Sequence, residues 1–102
     1  MFVVELFVPL DLPGGEPTPA ATLDRIKADL TGRFGGVTSY LHSPAEGAWK
    51  PGPDDVVHDR VVRFEVMVET VDRDWWQAWR EALEQELEQD QILARAHEVT
   101  LL

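Results

Sequence analysis

Glu5, Tyr40, His42, Arg63 and Glu65 are the side chains of this sequence whose types could do chemistry together. A carboxylate beside an imidazole can carry general acid–base work, and a guanidinium can hold an anionic substrate. All five fall in segments that read as strands, and strand alternation can turn them to one side of a sheet. The plainer reading of the same residues is a salt-bridged interface between two copies of the chain, with Arg63 paired across strands to Glu5 or near Glu65.

A second group is Asp54, Asp55, His58 and Asp59. Hard oxygen ligands with one imidazole suit a divalent cation. The spacing matches no established metal loop, so an acidic loop accounts for it more simply. Trp75, Trp76 and Trp79 could stack a ring-shaped ligand, but their helical spacing makes them core residues, with Trp76 at the edge of the apolar stripe. Trp49 stands apart in a loop after Gly47, at the end of the sheet or over a pocket. Gly35 and Gly36 follow a helix and precede a strand. That order is a helix stop, whereas a phosphate loop runs strand, glycines, helix. The histidines lie on different elements, so no zinc site is implied. No Ser-His-Asp arrangement with a nucleophile elbow is present. No cysteine occurs, which excludes disulfides, iron–sulfur clusters and cysteine catalysis. No motif specifies a reaction, and no cofactor is implied.

The elements that must position these groups can be read from the apolar pattern. Phe2 to Val8 is β-branched and aromatic and reads as a strand ending at Pro9. Pro13, Gly14, Gly15 and Pro17 mark a turn-rich loop. Thr18 followed by Pro19 predicts a helix start, with the hydroxyl as cap. Leu23, Ile26, Leu30 and Phe34 then recur at helical spacing up to Gly35. Val37 to His42 reads as a second strand, and Ser43 to Asp55 as a long connection. Val57 to Val71 is the clearest strand, alternating well from Arg60 onward. Asp72 or Asp74 can cap a second helix whose stripe is Trp75, Trp76, Trp79, Ala82, Leu83 and Leu87. Residues 89–94 either continue that helix or unwind it. His97 to Leu102 reads as the last strand.

The order β-α-β-β-α-β predicts an α+β ferredoxin-like sandwich, a four-stranded antiparallel sheet with two helices on one face. Alternation places Phe2, Val4, Leu6 and Val8 under the helices, with Val37, Ser39, Leu41, Val62, Phe64, Val66, Val68, Val99 and Leu101. Val3, Glu5, Phe7, Thr38, Tyr40, His42, Val61, Arg63, Glu65, Met67, Glu69, Glu98 and Thr100 fall on the open face. A one-residue slip of the last strand would exchange its faces. The open face mixes apolar and charged side chains, and such a face suggests burial against something. A homodimer is expected, with sheets packed face to face or with the third strand paired across an edge.

The 102 residues suit one domain, spanning 1–102. The net charge of −10 repels phosphate backbones and anionic membrane surfaces, which argues against nucleic-acid or membrane binding. The first residues lack a basic segment and carry Glu5, unlike a signal peptide, and no apolar run reaches membrane-spanning length; a cytoplasmic protein is the default expectation.

The segment Arg33-Phe34-Gly35-Gly36-Val37-Thr38, followed by Gly47-Ala48-Trp49, resembles small bacterial hypothetical proteins grouped as a domain of unknown function. That resemblance supports the fold and implies no mechanism. The topology is also similar to the dimeric α+β barrel group, which includes small monooxygenases and lactone isomerases. Two functions therefore stand: a homodimeric domain that binds a partner or small ligand on the open sheet face, or a small cofactor-independent enzyme of that barrel type, with Glu5, Tyr40, His42 and Arg63 lining its pocket.

Overall fold

The computed structural model describes the backbone of residues 1–41, 45–50, 52–53 and 57–102, with the side chains of these apart from residues 45, 47, 49 and 57–59. The elements are β1 (Phe2–Pro9), α1 (Ala20–Phe34), β2 (Thr38–Ser39), β3 (Ala45–Trp49), β4 (Val57–Val68), α2 (Arg73–Glu86) and β5 (Ala94–Glu98). The sheet runs β2-β4-β1-β5, with β3 also on β4, and its described pairings are antiparallel. This is the split βαβ arrangement expected of an α+β ferredoxin-like sandwich.

Alternating apolar residues on β1 and β4 set the centre of the sheet. The two strands pair from Phe2↔Val68 to Pro9↔Val61. That register stacks Val4 on Val66, Leu6 on Phe64 and Val8 on Val62, all buried, beneath Ile26 and Leu30 of α1 and Trp76 and Leu83 of α2. It turns Glu5, Phe7, Arg63 and Glu65 to the opposite face. Both edges of β4 are occupied, one by β1 and the other by β2 and β3. The third strand of the expected set is therefore internal from Val61 to Glu65 and is not an edge strand there.

β2 is shorter than the expected Val37–His42, and β3 lies inside the expected connection. β4 has twelve residues, and its outer edge needs partners along most of that length. β2 supplies them at Phe64 and Glu65, the Tyr40 N–H donates to the Arg63 carbonyl at 2.9 Å, and β3 takes over from Val61 to Val57. Trp49 thus belongs to a strand and not to a loop.

Thr18 does not cap α1. Its hydroxyl donates to the Pro9 carbonyl at 2.7 Å, tying the loop back to the end of β1, and Pro19 precedes the helix without a side-chain cap. Gly35 closes the helix at φ 81°, its N–H donating to the Thr31 carbonyl, a conformation that favours glycine. At α2, Asp72 is the cap and accepts from the Trp75 N–H at 3.1 Å. Trp76 is at the centre of the buried stripe, while Trp75 and Trp79 are half-buried and Ala82 is exposed. Phe34 stacks on Trp76 with ring centroids 5.2 Å apart. The two helices run antiparallel. Arg25 pairs with Glu86 at one end, Arg33 with Asp72 at the other, and the Trp79 indole donates to Asp29 between them.

The last strand departs furthest from expectation. The chain leaves helix after Glu86, buries Leu87 and Ile92, and forms β5 at Ala94–Glu98. Phe2 pairs with Glu98 and Val4 with Ala96. Glu98 thus shares the face of Phe2, the reverse of the expected assignment, and Val99, Thr100 and Leu101 lie beyond the strand. Ile92 fills the core position that Val99 and Leu101 were expected to fill, and Leu101 and Leu102 are exposed.

Two outcomes test this arrangement. Phe64→Asp, which places a charge in the sealed layer, should abolish the cooperative unfolding transition, whereas Glu65→Ala on the other face should keep it. The Glu86 carboxyl is held below the ordinary carboxylate range, chiefly by its hydrogen bond from Arg25, against a smaller desolvation effect. A lowered folded-state pKa adds stability at neutral pH that is lost as pH falls through that value. The pair is exposed, so Glu86→Gln should cost only about 0.5 kcal/mol at pH 7, and the difference from wild type should vanish in acid-side denaturation curves.

Candidate functional site

Glu5 sits mid-strand on β1, between β4 and β5, and its side chain is turned away from the helices. Among the described residues nothing else forms a layer over that face, yet Glu5 is only 4% exposed. Its neighbours bury it. From β4, Arg63 Nη1 approaches Glu5 Oε2 at 3.2 Å. From β5, Arg95 Nε lies 3.3 Å and His97 Nδ1 3.5 Å from Glu5 Oε1. A carboxylate this buried needs such compensation, because removing it from water unpaired is costly.

The contacts continue toward β2. Arg63 Nε lies 3.6 Å from Glu65 Oε1, and the Tyr40 hydroxyl donates to Glu65 Oε2 at 3.2 Å. The Arg63 guanidinium lies over the Tyr40 ring at 4.2 Å, and that of Arg95 over Phe7 at 5.1 Å. Both are cation–π contacts that hold the arginines flat against the sheet. Desolvation is the largest influence on Arg63 and works against its charge. The Tyr40 phenol and the carboxylates of Glu65 and Glu5 together outweigh it, and its pKa is raised.

The sheet therefore brings together Glu5, Tyr40, Arg63 and Glu65, four of the five residues singled out from sequence. His42 lies outside the described residues, as do Asp54 and Asp55. His58 and Asp59 fall on β4, paired with Ala48 and Gly47, with side chains outside the described set. Arg95 and His97 join the cluster without having been anticipated. The displaced start of β5 hid them; the alternation Ala94, Arg95, Ala96, His97 was the signal that could have exposed them.

Chemically the array is a carboxylate held by cations from two strands, next to a phenol–carboxylate–guanidinium set. The Glu5 oxygens are occupied, which leaves Glu5 poorly placed to act as a free base. His97 is different. Glu5 lies against Nδ1, the ring is half-exposed, and Nε2 is left for an incoming group. Around the cluster, Val3, Phe7 and Tyr40 are half-buried and Met67 is 47% exposed.

No family model matches the sequence, and no curated protein matches it. Among solved structures the chain is similar to a phage SAM lyase in complex with S-methyl-5'-thioadenosine, with a TM-score of 0.65 at 14% identity, covering 95% of this chain and 80% of the other. It is similar to a phage SAM lyase in the apo state with a TM-score of 0.60 at 16% identity, covering 95% and 79%. At these identities the likeness is one of fold.

If the cluster is held together as described, Glu5→Gln should destabilise the protein by about 1–2 kcal/mol, since an amide cannot satisfy cations at both oxygens. Glu5→Leu should lie within about 1 kcal/mol of wild type, because the exposed arginines can turn back to water. Urea denaturation of both variants distinguishes this pattern from a general intolerance of substitution at residue 5.

Proposed function

We propose that the open sheet face is a binding surface for a small molecule containing an adenosine group, and that the working form is a homodimer closed over that face. The observation that carries this reading is the burial of Glu5 on a face that the described residues leave uncovered. A carboxylate held by Arg63, Arg95 and His97 is a costly arrangement to retain for stability alone, since buried ion pairs are often replaceable by apolar residues without loss. Its geometry suits recognition. The flat Arg63–Tyr40 stack offers a platform for a purine ring. Glu65 beside it can accept from ribose hydroxyls, a task carboxylates perform in nucleotide sites. Val3, Phe7 and Met67 supply the apolar contact that a second copy would cover. The fold shared with a phage SAM lyase bound to S-methyl-5'-thioadenosine supports this choice of ligand.

A second reading is catalytic, and one feature favours it. His97, with Nδ1 against Glu5 and Nε2 free, is placed for proton transfer to or from a ligand on the face. The enzyme would be cofactor-independent. The phage neighbour's name points to a lyase, in place of the monooxygenase or isomerase chemistry of the barrel group.

Calorimetric titration with S-methyl-5'-thioadenosine tests the binding reading. Wild type should bind, and Tyr40→Ala should weaken binding by about ten-fold, the loss of one stacking partner. Absence of heat at millimolar ligand would overturn it. Sedimentation equilibrium should give a dimer that Met67→Glu dissociates; a monomer throughout would remove the dimer. Incubation with SAM decides the catalytic reading: release of S-methyl-5'-thioadenosine that His97→Gln abolishes, with binding kept, supports it, and no release refutes it.

A further inference from the structure

The other side of the sheet carries a cavity of about 580 Å³, between α2 and the strands β1 and β5. Beneath the helix β5 presents the small residues Ala94 and Ala96, with Glu98 on the same face but outside the lining, so the helix is not filled in from below. Its floor is Phe2, Val4, Ala94 and Ala96. Its wall is a single face of α2, where Arg73, Trp76, Gln77 and Arg80 recur at the i, i+3, i+4, i+7 spacing of one helical stripe. The size is that of a small-molecule site.

The charge at this cavity runs against the rest of the protein. The chain carries a net −10, yet among the described residues no aspartate or glutamate lines the cavity, while Arg73, Arg80 and Arg95 do, Arg95 being paired with Glu5. Arg80 is anchored by Glu84 at 2.7 Å, and that carboxylate also accepts from the Ile92 N–H. Arg73 makes no ion pair among the described residues. Trp76 lines the cavity with its ring, which is 6% exposed; its Nε1 is sealed away from the cavity and has no acceptor among the described residues. An apolar floor and a cationic wall together define a complementary ligand.

We propose that this cavity binds a small amphipathic carboxylate, such as a medium-chain fatty acid, with its apolar body over Ala94 and Ala96 and its carboxylate at Arg73. Arg95 borders both this cavity and the open face, but the proposal rests on Arg73 and the alanine floor and does not depend on the function proposed for the open face. A carboxylate at Arg73 would form a charge-assisted hydrogen bond, while the apolar body displaces water from the alanine floor. Neither a cation nor a neutral chain alone would complement the wall.

Titration of the full chain with decanoate, followed by tryptophan fluorescence and calorimetry, tests this proposal. Decanoate should bind and change the emission, and decanol should bind at least about ten-fold more weakly, the difference expected for one charge-assisted contact. Arg73→Gln should weaken decanoate binding by a similar factor, and Ala96→Phe, which fills the floor, should abolish it. Arg73 is exposed on the helix surface, so its variant reads the proposal even if Ala96→Phe fails to fold. Arg60→Gln, at the other end of β1 from the cavity and paired with Asp11, should leave the affinity unchanged. Equal binding of decanol and decanoate, no binding of decanoate at millimolar concentration, or unchanged affinity in Arg73→Gln would overturn the proposal. So would a dimer that Ala96→Phe dissociates, which would show that a second copy occupies the cavity.

Discussion

The antiparallel pairing of β1 with β4 is the constraint on which the other features rest. It joins the two strands with the most regular alternation and stacks valine, leucine and phenylalanine on one side in matched pairs. Those pairs are sealed by both helices. Because a strand turns successive side chains to opposite faces, the same register obliges Glu5, Arg63 and Glu65 to meet on the other side. A slip of one residue would send the charges into the core. The apolar layer and the polar cluster are thus two consequences of one ladder.

The charges around that ladder are distributed with some economy. Most acidic residues are exposed and keep the surface negative. The basic residues are few, and several are engaged where two elements meet: Arg25 and Arg33 join α1 to α2, while Arg63 and Arg95 bring β4 and β5 to Glu5. Exposed pairs of the first kind add little to stability. The pairs at Glu5 are of another sort, since one partner is buried and would be left uncompensated if they were broken. On α2, Arg80 pairs with Glu84, and Arg73 makes no ion pair among the described residues.

The two sides of the sheet differ in what they leave open. On the uncovered side the polar groups satisfy one another, and the surface is a plate of flat-lying arginines, a phenol and apolar flanks. On the helix side the small residues of β5 leave space beneath α2, and the polar groups bordering it are incompletely satisfied. Steric and electrostatic complementarity therefore point to different ligands for the two sides, even though Arg95 and Ala96 are neighbours on one strand.

Periodicity by itself determined a good deal here. Alternation over Phe2–Val8 and Arg60–Val68 is long enough that one register buries Val4, Leu6, Val8, Val62, Phe64, Val66 and Val68 together, so the faces of Glu5, Arg63 and Glu65 were legible. Glycine at 35 and aspartate at 72 marked helix ends through backbone chemistry that acts locally. Other features were decided only when distant segments met. The run from His97 to Leu102 has the composition of a strand, but Ile92 takes the core position first, and the pairing of Arg95 and His97 with Glu5 suits a start at Ala94. Neither effect is visible within the segment. β3 likewise has weak strand composition and forms because the outer edge of β4 requires hydrogen-bonding partners. Trp76 could not be ranked above Trp75 or Trp79 from spacing alone, since all three lie within one broad stripe. Only the docking of α2 on the sheet leaves Trp76 buried and the other two rings half-buried. Local periodicity carries the direction in which a side chain points, whereas register at a sheet edge and the space left beneath a helix depend on the summed demands of residues far apart in the chain.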